Sequence, residues 1–201
     1  MTTDLLAYRT QHQLAEAPQD TAEAAAAAFL AALGVSVTSE SMRDTPRRMV
    51  EAYRELLTPQ PFVGTTFPND GGYDELVVAR GITVHSVCEH HLLPFIGVAS
   101  VGYLPGDRIL GLSKLARVVE MFARRPQVQE RLTQQVADWL QQNLQPRGVG
   151  VVIEAEHLCM TMRGVRSAAA ATSTSALHGV IREDARSRAE FFSLALPGGA
   201  A

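Results

Sequence analysis

The chain holds only two cysteines, Cys88 and Cys159, in 201 residues. That is too few for a disulfide framework, and two such thiols serve a metal or catalysis rather than a staple. Neither sign of charge dominates. Eighteen Lys and Arg against 21 Asp and Glu give a net charge of -3, and the sequence pI is near 6.1. This balance excludes a bulk nucleic-acid binder or a membrane-surface binder. Long hydrophobic runs are also missing. The alanine-rich stretch 24–28, followed by Phe29 and Leu30, falls far short of the roughly 20 apolar residues that span a bilayer. The first residues carry no basic segment leading into an apolar core, so no secretory signal is expected and a cytoplasmic location is. No internal repeat is present. What remains, 46% hydrophobic and 19% charged, is the composition of a soluble globular protein with one sizeable domain.

Periodicity and punctuation predict an α+β fold. Residues 1–20 are polar and unpatterned, expected to be loosely ordered or a short helix. Residues 21–33 read as a helix with Thr21 as N-cap and Gly34 as its stop. A second helix is expected at Asp44-Thr45-Pro46, capped by Thr45, with Met49, Val50, Tyr53, Leu56 and Leu57 on one face. Residues 59–72, rich in Pro, Gly and Thr, form a linker or long loop. Short β-branched runs at 76–79, 82–87 and 96–103 follow as strands. Ser113 is expected to cap a helix with Leu115, Val118, Val119 and Phe122 as its apolar stripe. Pro126 is expected to open the next, with Val128, Leu132, Val136, Leu140 and Leu144 facing inward. Residues 148–155 return to strand, 168–176 are an extended strand or loop, and 186–196 are helical. The sum is N-terminal helices followed by strands wrapped around a central helix pair.

The chemistry concentrates in Cys88-Glu89-His90-His91 and the distant Cys159. A Cys and a His three residues apart meet one metal ion when the chain turns between them. A third thiolate completes a Cys2His set that leaves a tetrahedral zinc one open position, the pattern of a catalytic site. On a strand, His157, Cys159 and Thr161 would share a face, putting an imidazole beside a ligand. His90 adjoins His91, so two histidines stand ready for proton transfer. The alternatives are a structural zinc closed by His90 or His157, or two buried cysteines among surface histidines. Lys114 and Arg117 lie one turn apart at a helix start, Arg163 and Arg166 follow Cys159, and Arg48 sits in another first turn. Such cations suit a polyphosphate, or else form a solvated charged face. Gln129-Glu130 begins a helix, and a carboxylate there accepts two hydrogen bonds from guanine or simply meets the helix dipole.

Taken together, 88–94 (CEHHLLP), 111–117 (GLSKLAR), 125–133 (RPQVQERLT), 156–160 (EHLCM), 163–166 (RGVR), Ser175-Ala176-Leu177 with Gly179, and Glu190-Phe191 resemble GTP cyclohydrolase I. The likeness runs from about Met42 to about Leu194, leaving 1–40 as a poorly matched helical extension and 41–201 as the catalytic domain. The resemblance implies the tunnelling fold, an antiparallel sheet with a central helix pair whose subunits join into a barrel. It implies a homodecamer of two pentamers with active sites between subunits. It implies zinc on Cys88, His91 and Cys159, and proton transfer by His90 and His157. Glu130 and Gln129 would hold guanine, while Ser113, Lys114, Arg117, Arg163 and Arg48 would hold the ribose triphosphate. The implied reaction turns GTP and water into formate and 7,8-dihydroneopterin triphosphate, the entry to tetrahydrofolate and pterin synthesis. Glu51 departs from the pattern, since many members carry Lys or Arg there. His85 and His178 match no family role and read as surface or packing residues. Two rival readings are a deazaguanine reductase of the same fold and a non-catalytic, zinc-stabilised guanine-nucleotide binder. The ligand set and Lys114/Arg117 argue against the first, and the intact His90, His157 and Glu130 argue against the second.

Overall fold

The computed structural model describes residues 18–167 and 170–196. In chain order these form α1 (Gln19–Ala32), α2 (Thr45–Leu57), β1 (Thr66–Pro68), β2 (Val77–Cys88), β3 (Pro94–Leu104), β4 (Arg108–Leu110), α3 (Leu112–Ala123), β5 (Pro126–Gln127), α4 (Gln129–Leu144), β6 (Gly148–His157), α5 (Leu158–Thr161), β7 (Ala171–His178), α6 (Gly179–Glu183) and α7 (Ala185–Ala195). The chain divides between Glu55 and Leu56 into two compact units. Most of residues 1–20 lies outside the described residues. Among those described, no helix is long and apolar enough to cross a membrane.

The first unit is helical. The helix α1 begins at Gln19 behind Pro18, so Thr21 lies inside it and caps nothing. Its end is as the sequence predicts. Gly34 takes φ 77° and donates its N–H to Ala31 O at 2.9 Å, and Val35 donates to Leu30 O at 2.9 Å. In α2, Thr45 is already helical. Its hydroxyl donates to Met42 Sδ at 3.7 Å and accepts from Arg48 at 3.2 Å, so it does not act as the expected cap.

The second unit is built on a five-stranded sheet in the order β5-β2-β3-β6-β7, antiparallel except for the short β5–β2 pair. A separate antiparallel pair, β1–β4, breaks the predicted loop 59–72. The two runs expected at 76–79 and 82–87 are one strand, β2. Its register shifts between Ala79 and Ile82, where Gly81 takes φ 67°.

Strand alternation sends side chains to two faces. Phe95, Ala99, Val101 and Tyr103 of β3 and Val149, Val151, Ile153 and Ala155 of β6 join one core. There they meet Leu115, Val118 and Phe122 of α3 and Leu132, Val136 and Leu140 of α4. The opposite face is covered by α7. Gly102 and Gly150 are register partners in β3 and β6, and the Phe191 ring lies over both. A Cβ at Gly150 would stand 2.7 Å from that ring. Val152 and Ile181 complete this smaller cluster.

Three expected boundaries fail. The helix α3 starts at Leu112 after Gly111, so Ser113 is its second residue rather than its cap. Pro126 does not open a helix; with Gln127 it pairs beside Val87 and Cys88 as β5, and α4 begins at Gln129. Proline's fixed φ suits extended chain as well as a first helical turn. Here the Gln127 side chain decides: it is fully buried and donates to Phe122 O at 2.9 Å. The third failure concerns Cys159, which lies on α5 rather than on a strand.

Candidate active site

The hairpin between β2 and β3 builds one side of the site. Cys88 ends β2, its N–H donating to Leu93 O at 2.9 Å. Leu92 turns the chain at φ 52° and donates back to Cys88 O at 2.8 Å. Residues 89–92 therefore fold tightly enough to return His91 toward Cys88, whose Sγ lies 3.9 Å from His91 Nδ1. The other side comes through the sheet. The pairing of Val87 with Pro94 and of Phe95 with His157 sets the end of β6 next to that hairpin. The short α5 begins immediately after His157 and delivers Cys159.

Among the described residues, Cys88, His91 and Cys159 bring their donor atoms within 4.8 Å of one another. A tetrahedral zinc, with Zn–S of about 2.3 Å and Zn–N of about 2.0 Å, holds such donors roughly 3.5–3.8 Å apart. Small side-chain rotations close that difference. Both cysteines are free thiols. Burial, then the neighbouring Cys88 thiol, push the Cys159 thiol above its ordinary range, with Arg163 opposing. Two cysteine sulfurs and one imidazole nitrogen are the donor types that zinc takes, so the donor set fits a zinc ion. Neither His90 nor His157 belongs to this group as the side chains stand.

The two flanking histidines differ. His90 has a side chain 64% exposed, with Nδ1 3.9 Å from Cys88 Sγ and Nε2 3.9 Å from Glu89. His157 stacks on Phe95 with ring centroids 4.6 Å apart and planes 13° from parallel, and its Nε2 lies 2.8 Å from Gln129 Oε1. Burial holds the His157 pKa below the ordinary histidine value, against a smaller upward pull from the nearby Glu130 carboxylate. That pull places Glu130 in the same neighbourhood. Glu130 itself is exposed.

Gln129 is where the structure departs from the sequence reading. Its side chain is 1% exposed, and its amide nitrogen is within reach of Ile153 O at 3.0 Å, Thr172 O at 2.8 Å and Thr174 Oγ1 at 3.2 Å. With Oε1 on His157, no free end remains to hold guanine. Lys114 has its Nζ 5.7 Å from the Phe62 ring centroid. Arg117 pairs with Glu120 at 2.8 Å, Ser113 is exposed, and Arg163 is exposed near Cys159. Arg48 belongs to the helical unit, where it donates to Ser41 O at 2.8 Å. The acid at Glu51 is already matched, because Arg47 donates to both its oxygens at 2.8 and 3.0 Å. His85 is exposed, whereas His178 donates to Asp138 at 2.8 Å and ties β7 to α4.

Two features carried no usable sequence signal. Phe95 supports His157 only because β3 and β6 pair in that register. Arg131 donates to Glu89 and, at 2.9 Å, to Gln127 Oε1, tying the 89–92 turn to the start of α4. The Arg131 hydrogen bond holds the Glu89 carboxyl below its ordinary range.

Comparison with known proteins gives this geometry its context. The family pattern described as GTP cyclohydrolase I matches residues 22–196. The protein named GTP cyclohydrolase 1 in Mycobacteroides abscessus is 52% identical over 183 residues, covering 88% of this chain and 89% of its own. Those of Mycobacterium avium and Mycobacterium leprae are 50% and 51% identical, over 92% and 89% of this chain and 93% and 89% of theirs. A solved archaeosine synthase QueF-Like in the apo form aligns with 52% of this chain and 93% of its own, at TM-score 0.44 and 18% identity, too distant to add to the assignment. With matched residues running from the first helix to the last, the chain belongs to the GTP cyclohydrolase I family.

Proposed function

We propose that this enzyme converts GTP to 7,8-dihydroneopterin triphosphate and formate with zinc held by Cys88, His91 and Cys159. The observation that carries the metal reading is the convergence of those three donors from a hairpin and the short helix after β6. Bound zinc supplies Lewis acidity and a hydroxide nucleophile at neutral pH, which hydrolysis at guanine C8 requires. His90 and His157 move protons at N7 and at the leaving nitrogens. Glu130 accepts the N1–H and the exocyclic amine of guanine, a pair of donors that a single carboxylate matches. Ser113, Lys114, Arg117, Arg163 and Arg48 hold the ribose and triphosphate. After the second hydrolysis releases formate, the ribose opens, rearranges to a ketone and closes on the freed amine with loss of one water.

The same reading carries residues 41–201 as the catalytic part, action in the cytosol, and assembly into a homodecamer of two pentamers. Assembly is supported by Ile96 and Val98 of β3, each 47% exposed on the sheet face that α7 leaves open, and by β7 as an edge strand. The test titrates zinc into metal-stripped enzyme and reads formate from GTP. Release that rises with bound zinc and saturates near one ion per chain supports the reading. Full release from stripped protein contradicts it.

A further inference from the structure

The buried amide of Gln129 decides which nitrogen of His157 faces the chemistry. Ile153 O and Thr172 O are carbonyl oxygens and only accept, so the group facing them is the NH2, and its two hydrogens satisfy both. Thr174 Oγ1 stands third in line. Its proton is committed to Thr133 Oγ1 at 2.6 Å, because Thr133 spends its own on Gln129 O at 2.8 Å. A flipped amide would set Oε1 against two carbonyl oxygens, acceptor facing acceptor in the interior. The orientation is therefore determined, and Oε1 faces His157 Nε2 at 2.8 Å. An amide oxygen has no proton to give, so Nε2 carries it. Among the described residues His157 Nδ1 makes no hydrogen bond, and the Phe95 stack limits rotation of the ring.

We infer that Gln129 is a positioning residue rather than a guanine contact. It holds His157 as the Nε2–H tautomer and leaves Nδ1 as the nitrogen through which protons pass to and from the substrate. This rests on the reading that His157 transfers protons.

The experiment uses the zinc-loaded enzyme labelled with ¹⁵N-histidine, observed by solid-state NMR at mildly alkaline pH, with His157 assigned by its loss in His157→Ala. The expected spectrum shows a protonated Nε2 and a bare Nδ1. A bare Nε2 with a protonated Nδ1 overturns the inference, and this readout needs no variant of Gln129 that folds. Gln129→Met, which keeps the volume and removes every hydrogen bond of the side chain, should lower kcat about 10–100-fold, as loss of a ligand-orienting partner does. Its GTP dissociation constant should stay within about threefold of the parent, because only binding interactions common to ground and transition state would change it. A dissociation constant raised about tenfold at unchanged kcat would make Gln129 a guanine contact and overturn the inference. Wild-type enzyme that shows the Nε2–H spectrum but releases no formate would instead strike the functional reading and leave the tautomer standing.

Discussion

His90 and His157 adjoin the same three candidate metal ligands, His91 and Cys159 among them, yet the protein holds them in opposite ways. His157 ends a strand, is stacked on Phe95, and is bonded to an amide that the core has already oriented. His90 rides on a turn with its side chain 64% exposed, its Nδ1 3.9 Å from Cys88 Sγ and its Nε2 3.9 Å from a Glu89 carboxylate oxygen. Core packing sets the first before any ligand arrives. The second has conformational freedom that only a substrate or a metal-ordered turn would remove, at an entropic cost that the first avoids. On the proposed reading, two residues that look equivalent in sequence would thus enter the reaction with different degrees of preparation.

The comparison is tested most severely by removing the ligand they share. Cys159→Ser should abolish zinc binding and turnover while leaving folded protein by circular dichroism; retained activity would place the metal elsewhere. Next come the histidines themselves. His157→Ala and His90→Ala should each keep zinc and lose about 100-fold or more in kcat. Their stabilities should differ, and this is the sharper contrast. His157→Ala strands the buried Gln129 Oε1 and should cost about 1–3 kcal/mol in denaturant unfolding. His90→Ala should leave the midpoint where it was, and equal losses would erase the distinction. Glu130→Gln should weaken GTP binding in calorimetry with the His157 NMR signals unmoved, separating base recognition from histidine positioning.

The smallest effect concerns the turn that carries His90. Arg131 holds Glu89 below the ordinary carboxylate range, so the folded pKa is the lower one. The stabilisation is then present above the unfolded value and lost as pH falls toward the folded one. Glu89→Gln should flatten the acid side of the thermal-stability profile slightly and leave neutral pH almost unchanged, because the pair is exposed and screened.

The meeting of Cys88 and His91 was legible from their three-residue spacing, and that of Cys159 with them from the long sequence blocks that carry all three. Helix faces were legible because Leu115, Val118 and Phe122, or Leu132, Val136 and Leu140, repeat at a helical period. Junctions were not. Pro126 obeys the rule for a helix start, yet Gln127 has a buried carbonyl to satisfy and draws the pair into the sheet. Cys159 follows a strand, and nothing local says that the chain coils one residue after His157. The role of Gln129 was invisible for a deeper reason. Adjacent to Glu130 in sequence, it points into the core, where Ile153, Thr172 and Thr174 from two strands compete for its amide. No spacing along the chain reports a contact made across a sheet.

The central claim is that three ligands and two differently held histidines perform one zinc-dependent ring opening. It is tested most directly by incubating freshly purified, zinc-replete enzyme with GTP alone. Formate would be measured together with the fluorescence of oxidised neopterin. The account predicts the two products in equal amounts, both lost when zinc is stripped and both restored when it returns. Zinc-loaded protein that yields neither product would contradict it.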